Sequence, residues 1–199
     1  MKKQELDHVL RAAGEITGET QFIIVGSQSL HGKYPDLPDD IFASAEVDLI
    51  AKNSPEKTES LNFIGVYSRF HETHGYYADP VDERTATLPK GWRARLVNLP
   101  PGDTNGVSGL CLDPHDLAIA KYVARREKDI VFTRALAARG IVGKPQLLAL
   151  LAKTPIDAEA RERIRGLIED DFKTEQSVKA QKGAVSKKTE STKAKRQSD

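Results

Sequence analysis

The sequence predicts an α/β domain with a helical carboxy-terminal part and a disordered basic tail. Three observations carry that expectation: two short apolar runs with strand character at 21–25 and 45–51, a helix start at Asp113-Pro114, and a shift in composition at Lys173. The boundaries that follow are an α/β core at 1–112, a helical part of the same unit at 113–172, and a tail at 173–199.

Leu6, Val9, Leu10 and Ala13 recur at helical spacing, so the chain opens with an amphipathic helix that ends near Gly14 or Gly18. Gln21-Phe-Ile-Ile-Val25 is rich in β-branched residues and stops at Gly26, which reads as a buried strand and a sharp turn. Gly26 has no Cβ and lets backbone approach an anion closely, while Ser27 offers an N–H and a hydroxyl. If Ser27 to Leu30 starts a helix, its free N–H groups point at that anion, and a triphosphate would fit there.

The second strand, Ala45-Glu-Val-Asp-Leu-Ile-Ala51, alternates acid and apolar residues and so puts Glu46 and Asp48 on one face. Two carboxylates spaced this way suit Mg²⁺ or Mn²⁺, ions that orient a triphosphate and neutralise developing charge. With 29 acids in 199 residues an acid-x-acid triplet arises by chance about four times, so the strand-Gly-Ser turn before it has to carry the argument.

Asn62 to Ser68 and Arg93 to Leu99 read as further strands, the latter with Ala94, Leu96 and Asn98 on one side. Between them, residues 70 to 90 read as a long loop of the kind that serves as a lid or binding loop. His71 and His74 are three apart with Gly75 following, which does not match the four-residue spacing of zinc-protease helices. In that loop Tyr76 and Tyr77 could stack on a base, and His74 could hydrogen-bond a ribose or act as a base.

Asp113, Pro114 and Asp116 supply an acceptor at the cap, proline at the first helical position and an acid in the first turn. Helices follow at 114–139, 145–152 and 157–171, punctuated by Gly140, Gly143 and Pro155. In the first of these, Lys121, Arg125 and Lys128 share one face and would suit phosphate oxygens, with Lys121 nearest the sheet. A solvated face neutralised by Glu127 and Asp129 is the plainer reading of the same spacing.

The order apolar strand, Gly-Ser, helix, loop, strand with two acids, here Ile23-Ile-Val-Gly-Ser27 and Glu46-Val-Asp48, resembles the nucleotidyltransferase superfamily. The chain looks like an uncharacterised bacterial nucleotidyltransferase-like family, more distantly similar to abortive-infection toxins. The resemblance extends over about residues 1 to 172 and includes Phe70-His-Glu-Thr-His-Gly-Tyr-Tyr77, Leu88-Pro-Lys-Gly-Trp92 and Lys121 to Asp129. It implies a small mixed sheet with helices and Mg²⁺-dependent transfer of a nucleotidyl group from an NTP to an RNA, protein or small-molecule acceptor. An antitoxin partner rests on the toxin analogy alone.

On that resemblance Glu46 and Asp48 hold the metal and act catalytically with Lys121, Gly26 and Ser27 hold the triphosphate, and Lys121, Arg125 and Lys128 offset its charge. Two departures are visible. Glu46 stands where the superfamily usually has aspartate, and the expected later strand 93–99 has no acid, which leaves Asp79, Asp82 and Glu83 in the preceding loop as substitutes. The alternative is a catalytically inactive module of the same fold that binds nucleotide or nucleic acid in a regulatory role.

The tail from Lys173 has eight Lys/Arg and three acids and no aromatic residue, so it is expected to be disordered. It leaves 22 basic and 26 acidic residues before it, an acidic body with a basic tail that could add salt-sensitive affinity for nucleic acid. Cys111 is the single cysteine, which fits a reducing compartment. Met1-Lys-Lys-Gln-Glu-Leu is charged without an apolar core and does not read as a signal peptide, no stretch approaches the roughly 20 apolar residues of a membrane span, and a cytoplasmic location is the expectation. Gly-x-Ser-x-Gly, Gly-Lys-Ser/Thr phosphate loops and Gly-x-Gly-x-x-Gly turns are all absent.

Overall fold

The computed structural model describes residues 1–38 and 41–173. Most of the tail, from residue 174, lies outside them. Five strands, β1 (Gln21–Ile24), β2 (Glu46–Ala51), β3 (Tyr77–Pro80), β4 (Val97–Asn98) and β5 (Ser108–Cys111), form one mixed sheet in the order β3-β2-β1-β5-β4. β1 runs antiparallel to β2 and parallel to β5, while β2 and β3 are parallel.

One face of the sheet is sealed by the first helix, α1 (Lys3–Thr17), whose Leu6, Val9, Leu10 and Ala13 are fully buried, as the helical spacing requires. They pack on Phe22, Ile24, Val47 and Leu49, the residues that alternate toward that side. Gly18 ends α1 in the left-handed conformation, at φ 67°, where a side chain would strain the backbone.

A second apolar cluster holds the carboxy-terminal helices α3 (Pro114–Ala124), α4 (Glu127–Ala138), α5 (Lys144–Leu151) and α6 (158–173) together. Leu117, Ile119, Leu136, Leu147 and Ile168 form its centre, and Leu30 and Phe42 tie it to the segment between β1 and β2. Asp113 accepts a hydrogen bond from the His115 N–H at 2.8 Å and so caps α3, with Pro114 at the first turn.

Four sequence expectations are corrected. Asn62 to Ser68 is not a strand, because Pro55–Ile64 is a run of 3₁₀ turns. Its buried residues are Thr58, Leu61 and Ile64, a period of three. The loop expected at 70–90 contains a short helix, α2 (Arg69–His74), capped by Ser68, and the edge strand β3. The strand at 93–99 shrinks to β4, preceded by a 3₁₀ turn at Trp92–Arg95, where Arg95 leaves the ladder to pair with fully buried Asp116 at 2.8 Å.

The fourth correction concerns the helix expected at 114–139, which breaks at Arg125. That residue is left-handed (φ 54°, ψ 35°), and its N–H closes α3 onto the Lys121 carbonyl. Asp129 then accepts the Arg126 N–H at 3.2 Å and starts α4. Lys121, Arg125 and Lys128 therefore do not share a helical face.

Candidate functional site

The sheet face opposite α1 carries the acids. Glu46 and Asp48 alternate with Val47 and Leu49, so the same strand that completes the core sends two carboxylates the other way. The parallel pairing of β3 adds a third: Asp79 lies in register with Asp48, and Tyr77 with Glu46, and register partners share a face. Asp79 therefore stands beside the acid pair in a strand and not in a loop.

Asp48 is the central member. Burial, then Glu46, then Asp79 push its carboxyl from 3.8 up to about 6, against the opposing pull of Lys121. Asp79 is also raised, by burial and by Glu46. The Tyr77 hydroxyl donates to Glu46 Oε2 at 2.9 Å, and burial together with that carboxylate moves its own pKa up to about 12.

The turn after β1 comes directly under Asp48. A Cβ placed on Gly26 would lie 1.6 Å from Asp48 Oδ2, so glycine at this position is what allows the carboxylate to rest against the turn. Val25 N–H bonds the Asp48 carbonyl at 3.2 Å, which fixes the two segments side by side. Ser27 begins a six-residue 3₁₀ turn, Ser27–Gly32, where an α-helix start was expected.

From the other side α3 and α4 close a pocket of about 170 Å³ whose lining includes Gly26, Asp48, Lys121, Arg126 and Asp129. Lys121 Nζ stands 3.0 Å from Asp129 Oδ1, an ion-pair distance without hydrogen-bond geometry, and Asp129 is 1% exposed. Arg125 lines an adjoining hollow of about 20 Å³ with Tyr122 and Asp171, which shares Lys121 and Asp129 with the pocket, and Lys128 is exposed on α4.

The aromatic residues of 74–77 divide between the two sides of β3. Tyr77 is on the acid face. Tyr76 and His74 belong to an aromatic cluster with His8 of α1 and Phe70, in which His8 Nδ1 and the Tyr76 hydroxyl are 2.8 Å apart. Cys111 is buried in the α1-side core, and burial pushes its thiol up to about 12, which leaves no reactive thiolate.

Sequence reasoning did not single out Arg126 and Asp129 for the pocket, and it left Asp79 in a loop. For Asp79 a weak signal existed: Tyr77-Ala-Asp-Pro80 alternates polar and apolar residues between Gly75 and a proline suited to the end of an edge strand. Among the described residues no three His, Cys, Asp or Glu are drawn together closely enough to hold a metal ion by themselves, and no helix is long and apolar enough to cross a membrane.

A mixed sheet whose glycine turn, strand acids and facing lysine meet in one place is the arrangement expected of a nucleotidyltransferase-like protein. The sequence model of the family described as "Nucleotidyltransferase of unknown function (DUF6036)" matches residues 4–180, and the chain belongs to that family. That description names no toxin. No curated protein and no solved structure matches the chain.

Proposed function

We propose that the protein transfers a nucleotidyl group from an NTP to a hydroxyl acceptor, with the reaction centred on Asp48. The observation that supports this most is the contact of the Asp48 carboxylate with Gly26 in a pocket that Lys121 also lines. The raised pKa values of Asp48 and Asp79 support the same reading. Carboxyls that burial and neighbouring carboxylates hold up gain when a cation arrives.

The donor set fits Mg²⁺ or Mn²⁺. Glu46, Asp48 and Asp79 offer hard oxygen atoms on adjacent strands, and such ions are commonly held by one or two carboxylates together with substrate phosphates, so a preformed protein cage is not needed. When bound, the ion supplies charge neutralisation at the transferring phosphate.

The chain's own residues do the rest. Gly26 leaves room for phosphate oxygens against the backbone, and the Ser27 hydroxyl and N–H donate to them. Lys121 and Arg126 donate to the same oxygens from the helical side. Asp79, with its raised pKa, takes the proton of the acceptor hydroxyl on a carboxylate oxygen. The acceptor oxygen bonds to the α-phosphorus as the bond to the bridging oxygen of pyrophosphate breaks, and pyrophosphate leaves with that electron pair.

Incubation with α-labelled NTPs, Mg²⁺ or Mn²⁺ and cellular small molecules, RNA and protein tests the proposal. Label should move to an acceptor with the wild-type chain and not with Asp48→Ala. Equal labelling by both would remove Asp48 from the reaction. A binding module without turnover is the second reading, favoured by the hydrogen bond that engages Glu46 with Tyr77. It predicts metal-dependent NTP binding, lost in Asp48→Ala, and no label transfer to any fraction. The single buried cysteine suits a reducing compartment, and a cytoplasmic location goes with either reading.

A further inference from the structure

A groove of about 1120 Å³ opens beside the acid face, far larger than the pocket under α3. Its apolar floor includes Ile23 and Ile50, which lie on the same side of the sheet as Asp48, and Asp79 is among its lining residues. Val81 lines both the groove and the smaller pocket, so the two spaces adjoin at Val81, two residues beyond Asp79. A molecule in the groove would meet a triphosphate held at Gly26 from the side where Asp79 can take its proton.

The charge on the walls is net negative once the ion pairs are removed. Arg84 is bound to Asp82 at 2.9 Å and Arg93 is bound to Glu83, while Lys52 donates to the neutral Gln21 Oε1 at 2.7 Å and keeps its charge. Glu56 and Glu59 line the groove with no basic partner among the described residues, and Asp79 likewise. Three carboxylates against one ammonium leave a negative excess next to an apolar floor.

A nucleic acid would lay phosphates against those carboxylates, whereas a small cation would satisfy them. The volume suits a ligand of small-molecule size rather than a folded partner. We propose that this groove seats the acceptor, and that the acceptor is a small molecule carrying both amines and a hydroxyl, not a nucleic acid. The proposal rests on nucleotidyl transfer as the reaction.

Trp92 is the chain's one tryptophan and reports on the groove, since the Arg93 guanidinium that lines it lies 5.1 Å from the Trp92 ring. With the full chain at low salt and no nucleotide, spermine and, separately, a single-stranded RNA oligonucleotide are titrated against Trp92 fluorescence. Spermine should give a saturable change, weakened about three- to tenfold in the double variant Glu56→Gln, Glu59→Gln. Both glutamates are exposed and unpaired, so this variant should melt with the wild type.

The RNA should leave Trp92 unchanged. Spermine affinity unmoved in the double variant, or RNA saturating the Trp92 signal, overturns the inference. Binding of each NTP with Mg²⁺ measured in parallel separates this failure from that of the parent reading. Asp48-dependent NTP binding together with RNA in the groove sinks only the acceptor class. Spermine binding through Glu56 and Glu59 with no binding of MgATP, MgCTP, MgGTP or MgUTP sinks the transfer reaction and the groove's acceptor role with it.

Discussion

The two faces of the sheet are built from the same short strands and have opposite energetic characters. On the α1 side Phe22, Ile24, Val47 and Leu49 are fully buried in one apolar cluster. On the other side Glu46, Asp48 and Asp79 share a face, and burial with the neighbouring carboxylates holds the middle one up at about 6. Strand alternation therefore places stabilising and destabilising residues one position apart. The first face supplies the stability that the second face draws down, a division common where charged groups are gathered for binding.

The largest effect should come from breaking the stabilising face. Leu49→Ala removes a fully buried side chain between α1 and the sheet and should cost about 3 kcal/mol or more, read as a lowered urea midpoint at unchanged slope. Its neighbour gives the opposite sign. Asp48→Asn should stabilise the chain at pH 8 by up to about 3 kcal/mol, the cost of ionising a carboxyl raised to about 6. The same variant should lose metal-dependent NTP binding. Asp48→Asn melting below the wild type at pH 8 would contradict the charge argument.

The pH profile sharpens that contrast. Between 3.8 and about 6 the unfolded Asp48 is ionised while the folded one still holds its proton, so folding takes up a proton in that window. The Asp48 contribution to stability is greatest below about 4, is lost as pH rises through about 6, and is level above. Asp48→Asn should flatten this slope in a series of urea melts, and saturating Mg²⁺ should shift it to lower pH, because the ion favours the ionised form.

Gly26→Ala probes the contact between the acid face and the turn. The added Cβ would fall on Asp48 Oδ2, the end of a side chain that can rotate away, so the fold should lose only about 1 kcal/mol while NTP affinity falls at least about tenfold. Affinity unchanged in a folded Gly26→Ala would separate the turn from the site.

The sequence made one half of this contrast readable and hid the other. Alternation along a single strand is local, so Glu46 and Asp48 on one face, and Leu6 to Ala13 on the covering helix, were legible residue by residue. Asp79 reaches Asp48 through strand pairing across 31 positions, a register that periodicity within either segment does not contain. The break at Arg125 has no glycine or proline to announce it. It is imposed by the new cap that Asp129 gives α4, and it scatters a cationic stripe that looked continuous. The strand expected at 62–68 instead overlaps the end of the 3₁₀ run Pro55–Ile64, whose buried residues recur every three positions and not every two.

The smallest predicted effect concerns the hydrogen bond that joins the acid face to the edge strand. In the folded chain the Tyr77 hydroxyl donates to Glu46 Oε2, so it satisfies one oxygen of a carboxylate that a metal ion would also use. Tyr77→Phe removes that donor and should cost about 1 kcal/mol in the metal-free chain. With the oxygen released, Mg²⁺ or Mn²⁺ should bind more tightly, and the variant's melting temperature should gain more from added metal than the wild type's does. If metal instead stabilises Tyr77→Phe less than the wild type, Tyr77 orients Glu46 for the ion and does not compete with it, and the acid face is already arranged for its ligand.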